Sequence, residues 1–167
     1  MQLQPRPARL PAPVRFPPQQ APLGREGPQA FSEAAVSDAA FLALLDAYRA
    51  SGGVARAAEV AAWVERGPGR GTDLVQRWRA DRSVICFAWQ ATTWLPRFQF
   101  ARAGLLPDAA VRVALAELRA VFDEAETAQW FATPNSALGG YAPVALIRRQ
   151  PLTVIRAARR DRFIADG

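Results

Sequence analysis

Few residues of this 167-residue chain could carry out chemistry. It has no histidine and one cysteine, and all 21 of its basic residues are arginine. Without an imidazole there is no Ser-His-Asp triad, no histidine general base and no histidine-ligated zinc. Cys86 stands in the apolar run VICFAW. There it reads as a buried structural thiol, and one thiol without histidine makes a poor nucleophile or metal ligand. The carboxylates Glu117, Asp123, Glu124 and Glu126 fall near helix ends and read as caps and solvated positions. None is paired in an apolar setting, as general acid–base work requires. The sequence therefore predicts no enzyme activity, no metal and no cofactor.

The arginines point to binding. Arg156, Arg159, Arg160 and Arg162 crowd into VIRAARRDRF, ahead of Phe163 and Ile164. Guanidinium forks hold carboxylates and phosphates bidentately. An apolar pair beside them suits insertion into a partner's pocket. The competing reading is a solvated helix end whose basic residues answer the dipole, with Phe163 and Ile164 folded back on the core. A second set is Arg77, Arg79 and Arg82, on the last of three short helices, with Arg70 in the loop before it. In a helix-turn-helix that helix enters the major groove and its arginines read phosphates or guanine edges. The connection Gly67-Pro68-Gly69-Arg70-Gly71 is longer than the tight turn of that motif. A plain helical subdomain with a basic face is the alternative. The net charge of +6 and pI near 11.1 favour nucleic acid or an acidic protein as partner.

The elements that must position these residues are mostly helices. Residues 1–30 hold eight of the 14 prolines, four arginines and one acid, Glu26. This stretch cannot bury enough apolar surface to offset its ordering, and reads as a disordered or polyproline-like tail. Ser37 caps a helix to Ala50 whose Phe41, Leu44, Leu45 and Tyr48 share one face. Ser51-Gly52-Gly53 stops it. A second helix is predicted from Val54 to Arg66, and a third capped by Thr72. Ser83–Phe100 is β-branched and aromatic and predicts a hairpin, strands about 84–89 and 93–99, with Pro96 shortening the second strand or putting it at an edge. Pro107-Asp108 opens a helix carrying Val111, Leu115, Leu118, Val121 and Phe122. Asp123 and Glu126 form a capping box for a helix ending at Trp130-Phe131. Pro134-Asn135 and Gly139-Gly140 make a corner, and Pro143 and Pro151 open the last two helices. The fold class is mainly α with a small β-hairpin. Three parts are expected: the 1–30 tail, a helical subdomain at 31–82 that is a degenerate helix-turn-helix at most, and a C-terminal helical domain at 83–167. No apolar run approaches the ~20 residues of a membrane helix. The start MQLQPRPARLP lacks the apolar region of a secretory signal. A cytoplasmic protein is expected.

The C-terminal part carries a resemblance. WFATPNSALGGYAPVALI, with VIRAA after a spacer, looks like the toxin-binding domain of the Xre/MbcA/ParS antitoxin family. The residues concerned are Trp130, Phe131, Pro134, Asn135, Leu138, Gly140 and Pro143. Upstream, Pro96, Gln99 and Phe100 resemble the family's Pro-x-x-Gln-Phe segment, and LLPDAAVRVALAEL its linking helix. The resemblance spans roughly residues 83–160. It implies an antitoxin of a type II toxin–antitoxin system, paired with a RES-domain toxin that attacks NAD or transfers ADP-ribose from it. It further implies that the C-terminal domain covers the toxin's active site. Promoter DNA as a second partner, and a homodimer, are implied by the family as well. The alternative is a stand-alone DNA-binding regulator with an antitoxin-like fold and no toxin.

Overall fold

The computed structural model describes residues 35–65, 71–101 and 106–167. The expected tail at 1–30, Arg70 and the rest of the 66–70 connection lie outside the described residues.

Local signals set most helix boundaries. The Ser37 hydroxyl accepts from the Ala40 N–H at 3.2 Å and opens α1 (Asp38–Arg49). Asp38 then sits where the helix dipole favours an anion. Phe41, Leu44 and Tyr48 are buried, and the chain turns at Ser51-Gly52. The helix predicted from Val54 begins later than expected. Val54–Arg56 form a strand, β1, and α2 is Ala57–Glu65. The cause is a non-local pairing: Val54, Ala55 and Arg56 lie antiparallel to Pro96, Leu95 and Trp94. The Glu59 carboxylate accepts from the Arg56 N–H at 2.7 Å and starts the helix there. α3 spans Gly71–Ala80, with Thr72 inside its first turn.

The hairpin forms as β2 (Phe87–Trp89) and β3 (Thr92–Pro96). Gln90 and Ala91 between them both have positive φ, as a two-residue turn matched to strand twist requires. β3 lies in the middle of the sheet, in the order β1-β3-β2. Pro96 thus shortens its strand and does not mark an edge. A one-turn 3₁₀ helix, Arg97–Gln99, replaces the expected end of the strand. The run 84–86 is not a strand either. Its pairing is taken over by one side chain: the Ile85 N–H donates to Gln99 Oε1 at 2.6 Å, and Gln99 Nε2 donates to the Ile85 carbonyl at 2.8 Å. Gln99 is fully buried, and this amide satisfies both backbone groups of Ile85 as a neighbouring strand would.

The C-terminal helices follow. Asp108 caps α4 (Ala109–Leu118) by accepting from Ala110 and Val111. Pro107 stands just before this cap, and Val121 and Phe122 lie beyond the helix, not on it. Both halves of the Asp123–Glu126 capping box are present at α5 (Glu124–Ala132). Pro143 and Pro151 begin α6 (Pro143–Leu146) and α7 (Pro151–Asp166). One core cluster joins α1 to α4, α5 and α7 through Phe41, Leu44, Tyr48, Leu115, Phe131 and Val154, so the core runs across residue 83. The Tyr48 hydroxyl donates to the Ala128 carbonyl at 2.6 Å, and burial pushes its pKa well above the ordinary range. A second cluster holds α2 and α3 against Val84, Cys86, Leu95 and Phe100. The architecture is mainly α with a small antiparallel sheet. No helix of the described residues is long and apolar enough to cross a membrane.

Gln99→Met keeps the buried bulk but strands the Ile85 N–H and carbonyl. The unfolding free energy is expected to fall by about 2–4 kcal/mol in urea denaturation. An unchanged midpoint would show that the amide pairing contributes nothing.

Candidate partner-binding surface

The corner after α5 is closed by hydrogen bonds. The Asn135 side chain accepts from the Ala137 N–H at 2.9 Å and starts a 3₁₀ turn, Ser136–Leu138. The Asn135 N–H donates to the Tyr141 carbonyl, and the Gly140 N–H donates to the Asn135 carbonyl. Gly139 and Gly140 have φ of 65° and 84°. A Cβ at either would meet nothing within 4 Å, so the backbone conformation, not space, calls for glycine. Leu138 and Pro143 are buried, and Pro134 is exposed.

Two aromatics stand at the end of α5. Phe131 is fully buried, and the half-buried Trp130 meets its ring edge-on with centroids 4.9 Å apart. The Trp130 indole N–H donates to Asp161 Oδ2 at 2.7 Å, and Asn135 Nδ2 donates to the same oxygen at 2.7 Å. One carboxylate on α7 therefore holds both α5 and the corner. A second carboxylate holds α7 from the other side. Glu117 Oε1 accepts from Arg159 Nε and Nη2 at 3.0 and 2.8 Å, and its Oε2 lies 2.7 Å from Arg162 Nη1. Asp161 was not legible as a site residue. The one signal for it is that it is the single acid in an arginine run.

α7 thus sorts the arginines that the sequence groups together. Arg159 and Arg162 turn towards α4, and the Arg162 guanidinium also lies 5.0 Å from the Phe163 ring. Arg156 and Arg160 are exposed and make no hydrogen bond or ion pair among the described residues. Phe163 and Ile164 stay in solvent and do not fold back on the core.

The other sequence candidates lie elsewhere. Pro96 ends β3, Gln99 pairs with Ile85, and Phe100 packs against Trp78 with ring centroids 5.9 Å apart. Arg77 is exposed on α3, its Nε 3.4 Å from the Asp73 carbonyl. Arg82 follows α3, and its guanidinium donates to the carbonyls of Arg119, at 2.6 Å, and Phe122. It thereby caps the end of α4, where carbonyls and the dipole attract a cation. Arg79 is half-buried beside Cys86. The Cys86 thiol is pushed up to about 12, first by burial and then by Glu124, with Arg79 opposing.

The corner also lies within a match to a known protein family. Residues 117–157 match the model described as the antitoxin Xre/MbcA/ParS C-terminal toxin-binding domain. This stretch is similar to an Xre/MbcA/ParS toxin-binding domain. Searches of curated proteins and of solved structures found no match. The domain lies inside the 83–160 span of the sequence resemblance but is narrower. Pro96, Gln99 and Phe100 precede it, and Arg159, Arg160, Asp161, Arg162 and Phe163 follow it. The matched stretch supplies the donors Trp130 and Asn135, and the chain just beyond it supplies their acceptor.

Asp161→Ala is expected to lower the unfolding free energy by about 1–3 kcal/mol by orphaning two half-buried donors. Trp130→Phe should cost less in that background than alone, because the shared bond is already gone. Strictly additive losses in denaturant melts would mean the bond is not formed. For Cys86, the raised pKa keeps the thiol protonated in the folded state. Its contribution to stability is intact below about pH 9 and falls as pH rises towards about 12, since only the unfolded chain releases the proton in that window. At pH 8 the native protein should resist a thiol reagent that modifies the urea-unfolded chain at once.

Proposed function

We propose that this chain is the antitoxin of a toxin–antitoxin pair, and that it neutralises a RES-domain, NAD-targeting toxin by covering the toxin's active site. The observation that carries this reading is the toxin-binding domain at residues 117–157. The geometry supports a steric mechanism. α7 is held to the rest of the fold by Glu117 and Asp161, so it meets a partner already ordered and loses little entropy on binding. It presents Arg156, Arg160 and Phe163 outward. Guanidinium groups of this kind suit a pocket built around acidic residues or one that binds a dinucleotide phosphate. The chain itself supplies binding and occlusion, and no bond-making step.

The test is recovery of the partner with the tagged full chain from its native cells, followed by expression of that partner alone. The expected partner is a small protein co-purifying in near-equal amount. Expressed alone it should lower cellular NAD and arrest growth, and co-expression of this chain should restore both. Recovery of DNA alone, released steeply by salt, would replace the antitoxin reading with that of a regulator acting through Arg77 and Arg79.

A further inference from the structure

α7 leaves three large apolar side chains in solvent: Leu152 at 68%, Phe163 at 62% and Ile164 at 65% exposure. Arg156 and Arg160, both exposed and without a partner among the described residues, stand between them. At about 100° per residue, Leu152, Arg156, Arg160 and Phe163 fall within an arc of about 80°, with Arg159 about 20° beyond one edge and Ile164 about 40° beyond the other. Leu152 and Phe163 are about 16 Å apart along the axis at ~1.5 Å per residue. No carboxylate shares this stripe from Leu152 to Ile164. Asp161 lies on the opposite side of the helix, bonded to Trp130 and Asn135, and Glu117 is taken by Arg159 and Arg162.

We propose that this stripe is a docking ridge for a protein surface with an acidic centre flanked by two apolar pockets about 16 Å apart. That the partner is a protein rests on the toxin-binding assignment; the chemistry of its surface follows from the ridge. Two guanidinium groups with no partner among the described residues attract carboxylates, and the apolar ends give each flank something to bury. A phosphate backbone would satisfy the arginines but leave Leu152, Phe163 and Ile164 in water. A second copy of the ridge would set arginine against arginine. The ridge is preformed, because the carboxylate clamps of Glu117 and Asp161 fix which side of α7 faces out.

The experiment selects displayed random peptides of about 16 residues, ~24 Å as a helix, on the immobilised full chain. Enriched peptides are then titrated by fluorescence anisotropy against the wild type, R156E/R160E and F163A. Enrichment of acidic peptides with apolar flanks is expected. Affinity should fall about tenfold or more in R156E/R160E and also in F163A, with unchanged thermal melts. Peptides lacking acids, binding indifferent to R156E/R160E, or displacement from the ridge by duplex DNA would each overturn the proposal. The two readings fail separately. A toxin still neutralised by R156E/R160E removes the ridge and keeps the antitoxin. Acidic peptides selected by the ridge, with no toxin recovered from cells, keep the ridge and remove the toxin.

Discussion

One carboxylate oxygen ties the C-terminal half together. Asp161 Oδ2 accepts from the Trp130 indole and the Asn135 amide at 2.7 Å each. Bonds to an ionised acceptor are roughly twice as strong as those between neutral groups. Their geometric consequence matters more than their strength. A helix fixed at one residue is fixed in rotation, so the position of Asp161 decides which residues of α7 reach solvent. Glu117 enforces the same rotation from α4 through Arg159 and Arg162. The two helices run side by side in the same direction. At one end, Asp108 bonds the Gln99 carbonyl and Arg148 reaches the carbonyls of Phe98 and Phe100; at the other, Glu117 meets Arg159 and Arg162.

The net charge of +6 overstates how much arginine is free to meet a partner. Arg82 caps α4, Arg148 ties the segment before α7 to residues 98–100, and Arg159 and Arg162 serve Glu117. Arg56 and Arg97 lie over the rings of Trp94 and Trp63 at 5.3 and 4.6 Å. In a chain without lysine, the planar fork does structural tasks that a point charge does less well: two carbonyls at once, or an indole face. Arginines such as Arg156 and Arg160 differ from these in having no such task among the described residues. Charge counting sees one basic protein, while bonding separates a structural set from a presented one.

Features decided within a few residues were legible in the sequence. Ser37, Asp108 and the Asp123–Glu126 box cap helices because their partners are two or three residues away, and Pro143 and Pro151 need no partner at all. What the sequence concealed lies at long range. β1 exists because Val54 meets Pro96, and no local pattern distinguishes that strand from a first helical turn. Gln99 stood out as part of a motif, but its bonding to Ile85 had no sequence signal. The arginine cluster was visible as a run. Its division into Arg159 and Arg162 on one side and Arg156 and Arg160 on the other needed the helix phase and the place of Glu117.

The matched domain ends at Ala157, before the residues that α7 presents beyond it. Its Trp130 and Asn135 are half-buried donors that need an acceptor, and burial without one would cost each its hydration. The acceptor comes from the next turn of α7, at Asp161. That single requirement constrains one position and one rotation of the helix. It places no demand on the opposite side, where Leu152, Arg156, Arg160 and Phe163 stand. The Asp161 bonds and the outward residues therefore lie on different faces of the same helix, while the Glu117–Arg159 pair borders the outer one. A change of residue on the outer face leaves the Asp161 bonds to Trp130 and Asn135 in place, whereas a change at Asp161 alters how every outer residue is aimed.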